Sequence, residues 1–391
     1  MKGEQSMKGE QSMKGEQSMK GEQSMKGEQS MKGEQSMKAK KLMALLLAVV
    51  MILGLAACGS KKPAEDPNAT RIFTDSTGRE VEVPAQIDKV ALSGPLAQIV
   101  LFALCPDKLV GVSNAWSKEA QEFLDEKYFN MPQIGQLYGG KGELNLETLL
   151  QSGAQVVIDV GESKGSIKED MDELQQQTGI PFIHISADMR SYPQAYRMLG
   201  DLLGMKDEAE KLAAYCEKIY DRTKTIAGSV EKANVLYVTG DMGQNVIAKG
   251  SYHAEILDLL TNNLAQVDEP SSKGTGNEVS MEQILTWNPD VVIFAPESIY
   301  SIVKNDAAWQ SITAIKNGDY YEVPFGPYNW MGFPPSVQRY LGMMWLSKVL
   351  YPEATADYDL FSDVHEYYEL FYHCDITRAQ YDALVANSLG K

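Results

Sequence analysis

One pattern occurs twice in this chain, and it constrains the fold more than any other feature. Residues 144–158 read LNLETLLQSGAQVVI, and residues 279–293 read VSMEQILTWNPDVVI. Each copy has an N-cap residue (Asn145 or Ser280), a short amphipathic helix, a turn, and an apolar run typical of a buried strand. The same unit in each half predicts two similar lobes, with a ligand bound where the carboxyl ends of their strands meet.

Strand and helix patterns alternate around both copies, which predicts mostly parallel sheets covered by helices. Residues 68–83 predict a hairpin with its turn at 75–78. Apolar runs predict further strands at 90–93, 109–111, 156–160, 182–185, 235–239, 246–248, 291–295 and 320–323. Between 192 and 232 the apolar residues instead recur with the helical period. We therefore predict an α/β protein with two Rossmann-like lobes, 69–191 and 233–391. A single long helix within 192–232 joins them, the ligand cleft lies between them, and helices end the chain.

The first 36 residues are the hexapeptide MKGEQS written six times. Units this short, with no apolar face, cannot bury a core. Because Lys-Gly-Glu can be encoded by a purine-rich run that resembles a ribosome-binding sequence, we interpret residues 1–36 as a duplicated leader, with translation starting at Met37. A functional repeat array is the alternative.

An export signal follows the repeats. Residues 38–41 are basic apart from one alanine, and the apolar run from Leu42 to Leu55 is too short to span a membrane. The run ends in LAACGS, which resembles the bacterial lipoprotein signal, in which the cysteine receives lipid. We expect 37–57 to be the signal peptide, Cys58 the lipidated residue and 58–68 a tether. The protein would then be exported and anchored at the outer face of the cytoplasmic membrane. An ordinary secretory signal is the alternative.

The charge of the chain excludes one large class of function. It has 36 Lys and Arg against 53 Asp and Glu, a net charge of −17. Affinity for nucleic acid comes mainly from basic residues that neutralise phosphates, so we expect no nucleic-acid partner. Cys105, Cys216 and Cys374 match no zinc or redox spacing, and the first two are predicted to be buried thiols.

The order of the segments is more specific than any one of them. The first half contains TRIFTDSTGREVEVP, VALSGPLAQIVLFAL and LNLETLLQSGAQVVI; the second contains GSYHAEILDLL, VSMEQILTWNPDVVIF and NDAAWQSITAIKNGDYYEVP. This order resembles the iron-complex and cobalamin substrate-binding proteins of ABC importers, over nearly all of residues 69–391. The resemblance implies a monomer without catalysis or intrinsic cofactor. It also implies delivery of a small solute to a dimeric ABC permease with its ATPase subunits.

In that family, one glutamate on each lobe docks into arginine pockets of the permease. Its place at the start of the short helix before a buried strand corresponds here to Glu147 and Glu282. The alternative is that each carboxylate only complements its helix dipole, and both roles are compatible.

The resemblance also places the ligand among the loops that follow the strands. The segment 325–333 (FGPYNWMGF) carries aromatic residues on no predicted helix or strand, and exposed aromatics suit a flat or chelated ligand. The alternative is that these aromatics fill the core of their own lobe. The predicted ligand-binding residues are Ser93, Pro95, Trp116 and Tyr138 in lobe one, and Tyr252, His253, Tyr328, Trp330 and Arg339 in lobe two.

The ligand is predicted to be a chelated metal. His253 could ligate iron or cobalt, or could simply lie in the first turn of a helix, and Tyr252 or Tyr328 could supply a phenolate to ferric iron. Arg339 could meet an anion or form a surface ion pair. We expect a ferric siderophore or haem first, a corrinoid second, and an oxyanion such as molybdate or tungstate third. His184, in the apolar segment PFIHIS, is predicted to be a packed residue.

An enzyme is the remaining alternative. Gly161-Glu-Ser163-Lys-Gly165 fits the Gly-x-Ser-x-Gly pattern of the α/β-hydrolases, with Ser163 as the nucleophile. That pattern needs a helix directly after the serine, whereas Ser166 and Glu169 predict a capping box that starts the helix too late. A binding protein is therefore favoured over a hydrolase.

Overall fold

An antiparallel hairpin begins the part of the chain that the structure describes. The computed structural model describes residues 68–138 and 143–389, so the repeats, the signal and Cys58 lie outside it. Strands β1 (Thr70–Thr74) and β2 (Glu80–Pro84) pair as predicted. Arg79 donates a hydrogen bond from Nη1 to the carbonyl of Phe182 at 2.8 Å, which fixes the hairpin to lobe one.

Lobe one contains a parallel sheet in the order β3-β4-β5. Its strands are β3 (Val90–Leu92), β4 (Val156–Gly161) and β5 (Phe182–Ser186). Every residue of β4 is buried, as expected for a parallel strand with both faces covered. The predicted strand at 109–111 is wrong, because only Leu109 forms a bridge, with Val90. The helices of this lobe are α1 (Pro95–Leu104), α2 (Lys118–Gln121), α3 (Leu146–Ser152) and α4 (Ile167–Thr178), with 3-10 turns at Pro106–Lys108 and Glu126–Tyr128.

The predicted inter-lobe segment contains two helices, α5 (Tyr192–Leu203) and α6 (Lys206–Ser229). Gly204 ends α5 in a left-handed conformation with φ of 68°, and its N–H bonds to the carbonyl of Gly200. The long helix is α6, whose 24 residues span about 36 Å.

Lobe two contains a mixed sheet in the order β11-β10-β6-β7-β9, with β8 beside β6. Its three longest strands run parallel, and β7 is antiparallel to both β6 and β9. The strands are β6 (Asn234–Thr239), β7 (Asn245–Val246), β8 (Asn262–Asn263), β9 (Asn277–Glu278), β10 (Val291–Phe294) and β11 (Tyr320–Glu322). The helices are α7 (Glu255–Leu260), α8 (Met281–Trp287), α9 (Tyr300–Val303) and α10 (Thr313–Asn317), with 3-10 turns at Tyr252–Ala254 and Trp309–Ser311.

The chain ends in helices, as predicted. They are α11 (Arg339–Leu350), α12 (Leu360–Tyr367), a π-helical turn (Tyr368–Tyr372) and α13 (Arg378–Leu384). Helix α6 packs against α1 of lobe one and against α7 and α11 of lobe two, so it contacts both lobes. Over residues 68–138 and 143–389, no helix combines the length and apolarity needed to cross a membrane.

The two copies of the repeated pattern fold alike. The Asn145 side chain accepts a hydrogen bond from the N–H of Thr148 at 2.9 Å, and the Ser280 side chain accepts one from Gln283 at 3.1 Å. Helices α3 and α8 then end in the left-handed residues Gly153 and Asn288. Both predicted caps are confirmed.

Candidate functional site

The two lobes meet near the carboxyl ends of their strands. The Tyr252 hydroxyl donates a hydrogen bond to the carbonyl of Ala187, the residue after β5, at 2.7 Å. Tyr340 donates in the same way to Met189 at 2.8 Å. These two bonds tie lobe two to the loop that follows the last strand of lobe one.

A second contact joins the lobes near helix α1. The Gln98 amide lies 3.4 Å from the Tyr328 hydroxyl, and its carbonyl oxygen accepts hydrogen bonds from the N–H and Oγ of Ser113. Gln98 therefore connects a loop at the sheet edge of lobe one to the aromatic segment of lobe two.

Lobe one carries a polar network at the carboxyl edge of its sheet. Asp159 on β4 and His184 on β5 are register partners, and Asp159 Oδ2 lies 2.7 Å from His184 Nδ1. The other ring nitrogen, Nε2, lies 3.0 Å from Ser163 Oγ and 3.2 Å from Ser186 Oγ. The Ser93 hydroxyl donates to Asp159 Oδ1 from the neighbouring strand end. His184 is buried as predicted, but within a polar network.

Lobe two carries an ion pair between a buried arginine and a half-buried glutamate beside the same contact. Arg339 has no exposed side-chain surface, its Nη2 lies 2.7 Å from Glu255 Oε2, and its Nη1 donates to the carbonyl of Tyr252 at 2.8 Å. Glu255 Oε1 in turn accepts the N–H of Met189 of lobe one at 3.2 Å. The alternative of a surface ion pair for Arg339 is therefore corrected: the guanidinium is fully buried, and its half-buried partner Glu255 contacts lobe one.

Burial changes the acid–base properties of this region. It raises the pKa of the Glu255 carboxyl, and the adjacent Arg339 guanidinium opposes that rise. Burial, together with the positive charge of Arg339, lowers the pKa of His253, which favours the neutral imidazole. Burial also raises the pKa of the Tyr252 and Tyr328 hydroxyls, which disfavours their phenolate forms.

Two predicted cleft residues belong to the cores of their lobes. Trp330 is fully buried, and its indole N–H lies 3.3 Å from the carbonyl of Gly326, so the expectation of an exposed aromatic at this position is wrong. Trp116 is also buried: its indole N–H donates to Tyr128 at 3.0 Å, and its ring packs edge-on against Phe102. In both cases the indole N–H forms its hydrogen bond within the residue's own lobe. The alternative, that these aromatics fill the core of their lobe, is therefore correct for Trp116 and Trp330.

The other predicted cleft residues are nearer the surface. Tyr138, Tyr252, Tyr328 and Pro95 are half-buried, whereas Ser93 and His253 are buried at the lobe edges. The Tyr138 hydroxyl donates to Asp170, and the Lys164 ammonium lies 4.0 Å from the centre of its ring. The loop after Tyr138 lies outside the described residues.

Four residues of the site were missed by the sequence analysis: Gln98, Asp159, Ser186 and Glu255. Asp159 and His184 are each the charged or polar interruption of an otherwise apolar strand segment, VVIDVG and FIHIS. That shared signal could have identified the pair, but their pairing depends on strand register. Within residues 68–138 and 143–389, no three His, Cys, Asp or Glu side chains are placed to hold a metal ion together.

The predicted docking residues are exposed on the first turns of α3 and α8. Glu147 Oε1 accepts a hydrogen bond from the Gln151 amide at 3.2 Å, one turn further along α3. Glu282 occupies the equivalent place on α8. Neither carboxylate is engaged in a salt bridge with a described residue.

Comparisons with known proteins agree on one family. Residues 90–326 match the family described as periplasmic binding protein. The chain is 24% identical over 350 residues to the molybdate-binding protein MolA of Haemophilus influenzae, covering 81% of this chain and 95% of that protein. It is 24% identical over 191 residues to the Fe(3+)-citrate-binding protein YfmC of Bacillus subtilis, covering 47% and 58%. An ABC transporter solute-binding protein from Sulfurospirillum deleyianum has a similar structure, with 26% identity, a TM-score of 0.74, and coverage of 81% of this chain and 99% of that one.

Proposed function

The chain belongs to the periplasmic binding protein family, the solute-binding proteins of ABC transporters, and from that premise we propose that it captures a metal-containing solute between its lobes. Its place of action is outside the cytoplasm, and it works with an ABC permease and its ATPase. The observation that carries the proposal is the contact between the lobes: Tyr252 and Tyr328 of lobe two reach Ala187, which follows β5, and Gln98, on α1, of lobe one.

An iron complex is the first candidate ligand. The neutral imidazole of His253 and the half-buried Tyr252 and Tyr328 are oxygen and nitrogen donors suited to iron. Ferric iron displaces the phenol proton when it binds a tyrosine, and because burial raises the pKa of Tyr252 and Tyr328 this displacement would cost more than at an exposed tyrosine. The relative that binds Fe(3+)-citrate supports the same class of solute.

Molybdate is a second candidate, and one observation favours it. The molybdate-binding relative aligns over 95% of its own length, whereas the Fe(3+)-citrate-binding relative aligns over 58%. Hydroxyl groups at the edge of lobe one, on Ser163 and Ser186, are donors that suit a tetrahedral oxyanion. The Arg339 charge is matched by Glu255, so hydroxyls would carry most of the recognition.

Delivery of the solute to the permease would depend on both lobes. We propose that the ligand favours the closed arrangement by contacting both edges, which brings Glu147 and Glu282 to the spacing that the permease requires. Lipid at Cys58 would keep the protein near the membrane. Lipidation is tested by the mass of the mature N-terminal peptide, which carries added acyl chains only if Cys58 is modified.

Ligand class can be decided by thermal unfolding of the full-length protein in detergent. The panel is ferric siderophores, ferric citrate, haem, cobalamin, molybdate and tungstate; the controls are the iron-free chelators and sulfate. A ligand at 100 times its Kd adds about 2.7 kcal/mol to the free energy of unfolding, enough to raise Tm clearly. A shift with an iron complex but not with its iron-free chelator supports the first candidate, and a shift with molybdate but not sulfate supports the second. No shift with any compound would refute the metal-containing solute.

A further inference from the structure

Three side chains of lobe one are connected as a nucleophile, a base and an orienting carboxylate. Ser163 Oγ lies 3.0 Å from His184 Nε2, and His184 Nδ1 lies 2.7 Å from Asp159 Oδ2. Both distances are within the range for a general base that activates a serine and is itself held by a third group. The residues come from β4, β5 and the loop after β4.

The hydrogen bonds fix the imidazole in the form that the chemistry needs. A carboxylate oxygen only accepts hydrogen bonds, so the proton of neutral His184 lies on Nδ1, toward Asp159. Nε2 then presents its lone pair to Ser163 Oγ. Asp159 is held from its other side by the Ser93 hydroxyl, and strand pairing fixes the two backbones. The orientation is therefore set before any substrate binds.

The solvent exposure of the base and of the nucleophile also fits their roles. His184 has no exposed surface, whereas Ser163 lies on an exposed loop, residues 162–166, in which Lys164 supplies a positive charge. Ser186, whose Oγ is 2.5 Å from Ser163 Oγ, is one residue from Ala187, which contacts Tyr252 of lobe two. A buried base and an accessible serine thus lie at the edge where the lobes meet.

We propose that Ser163, His184 and Asp159 form a serine-type acyl-transfer site that hydrolyses a carboxylic ester bound at the edge of lobe one. This activity is additional to solute binding. Because the molybdate candidate uses the same Ser163 and Ser186 hydroxyls, bound molybdate would compete with the ester for this site. Ser163 and His184 are the catalytic residues, and Asp159 and Ser186 are positioning residues. The site differs from the hydrolase motif, because helix α4 begins only at Ile167, as the sequence predicts. The predicted capping box is wrong, since Ser166 bonds to Asp170 instead.

The reaction would take place in two steps. In the first, the Ser163 proton passes to His184 Nε2 as Oγ bonds to the carbonyl carbon; the bond to the alcohol oxygen then breaks, and the alcohol leaves with that proton. In the second, a water molecule gives one proton to His184 Nε2 and adds its remaining hydroxyl to the acyl carbon. The bond between Oγ and the acyl carbon breaks, Ser163 recovers the proton, and the carboxylic acid leaves.

The first test is covalent labelling of the full-length protein in detergent. A fluorophosphonate probe should add one equivalent of mass, on the peptide that contains Ser163, and p-nitrophenyl acetate should give a burst of one p-nitrophenol per protein. Ser163→Ala should remove the label and lower the esterase rate at least about 100-fold. Ser166→Ala, in the same exposed loop, is the matched control and should keep both. The proposal is overturned if the wild type gives no label and no burst, or if the label falls on another residue.

The second test separates orientation from folding. Asp159→Asn keeps the shape of the side chain but no longer imposes the Nδ1 proton, so kcat for p-nitrophenyl acetate should fall by up to about 10⁴-fold with KM and Tm nearly unchanged. A purely structural network would instead show a lowered Tm with the residual esterase rate unaffected. That result would refute the assigned role of Asp159 and, with an unlabelled Ser163, the site itself.

Discussion

The repeated unit is alike in the two lobes on its outer side and different where its strand ends. In α3 and α8 the equivalent positions carry a capped start, an exposed glutamate in the first turn, and an exposed leucine three residues later, Leu150 or Leu285. At the end of the strand, the position of Asp159 in lobe one is occupied by Phe294 in lobe two. The features shared by both lobes face outward, and the difference lies at the strand ends.

The contrast between similar helices and different strand ends fits two kinds of binding, one to a partner protein and one to a solute. A partner with two equivalent halves needs the same surface on both lobes, and the helices provide it. A solute that lies between the lobes contacts different groups on either side, and the strand ends need not match. Phe294 is fully buried and packs edge-on against Trp309, with ring centres 5.3 Å apart, so lobe two uses this position for its core. Lobe one uses it for Asp159 and its polar network.

Placing the aspartate of lobe one at the equivalent position of lobe two should have the largest effect on stability. Phe294→Asp would place a carboxylate with no built partner in an apolar core and remove the ring, and we expect the free energy of unfolding to fall by about 4 kcal/mol. Phe294→Leu is the control and should cost about 1–1.5 kcal/mol. Urea unfolding measures both. Equal losses for the two variants would contradict the view that lobe two cannot accept a charge at this position.

The predicted docking glutamates, Glu147 and Glu282, allow the surface shared by the two lobes to be tested. We expect Glu147→Gln and Glu282→Gln each to weaken binding to the permease about tenfold, since each would lose a charge-assisted hydrogen bond worth about 1.5 kcal/mol. The ligand Kd should not change, because both carboxylates are on outer helices. Glu173→Gln is the matched control: that glutamate is exposed and accepts a hydrogen bond from Gln177, as Glu147 does from Gln151.

Binding to the permease in lipid nanodiscs measures the effect. If one of the two variants were silent, the lobes would not be equivalent in docking, and the inference from the repeat would fail for that lobe.

Features that depend on residues close together in the sequence could be predicted, whereas features that depend on distant residues could not. The caps of Asn145 and Ser280 and the strands that follow their helices were predictable because periodicity and capping act over a few residues. The pairing of Asp159 with His184 was not, because it depends on the register of two strands that α4 separates along the chain. The burial of Trp330 was only an alternative, since a segment without regular structure gives no periodic signal for the direction of its side chains.

The exposed leucines should give the smallest effect. Leu150 is 52% exposed and Leu285 is 38% exposed. Each lies three residues after a predicted docking glutamate and therefore on the same side of its helix. An apolar contact that covers the remaining half of such a side chain is worth about 1 kcal/mol, so Leu150→Gln and Leu285→Gln should each weaken permease binding about fivefold. Glutamine is a good helix former, so the free energy of unfolding should change by less than about 0.5 kcal/mol.

The control for the leucines is Ile302→Gln. Ile302 is 58% exposed on α9, outside the repeated unit, and its replacement should leave permease binding unchanged. Because the same substitution on all three surfaces removes a comparable apolar area, a selective loss at Leu150 and Leu285 can come only from their position beside the glutamates. An equal loss at Ile302 would mean that the permease contacts lobe two over a surface that lobe one does not share, and the two-fold docking derived from the repeat would then be wrong.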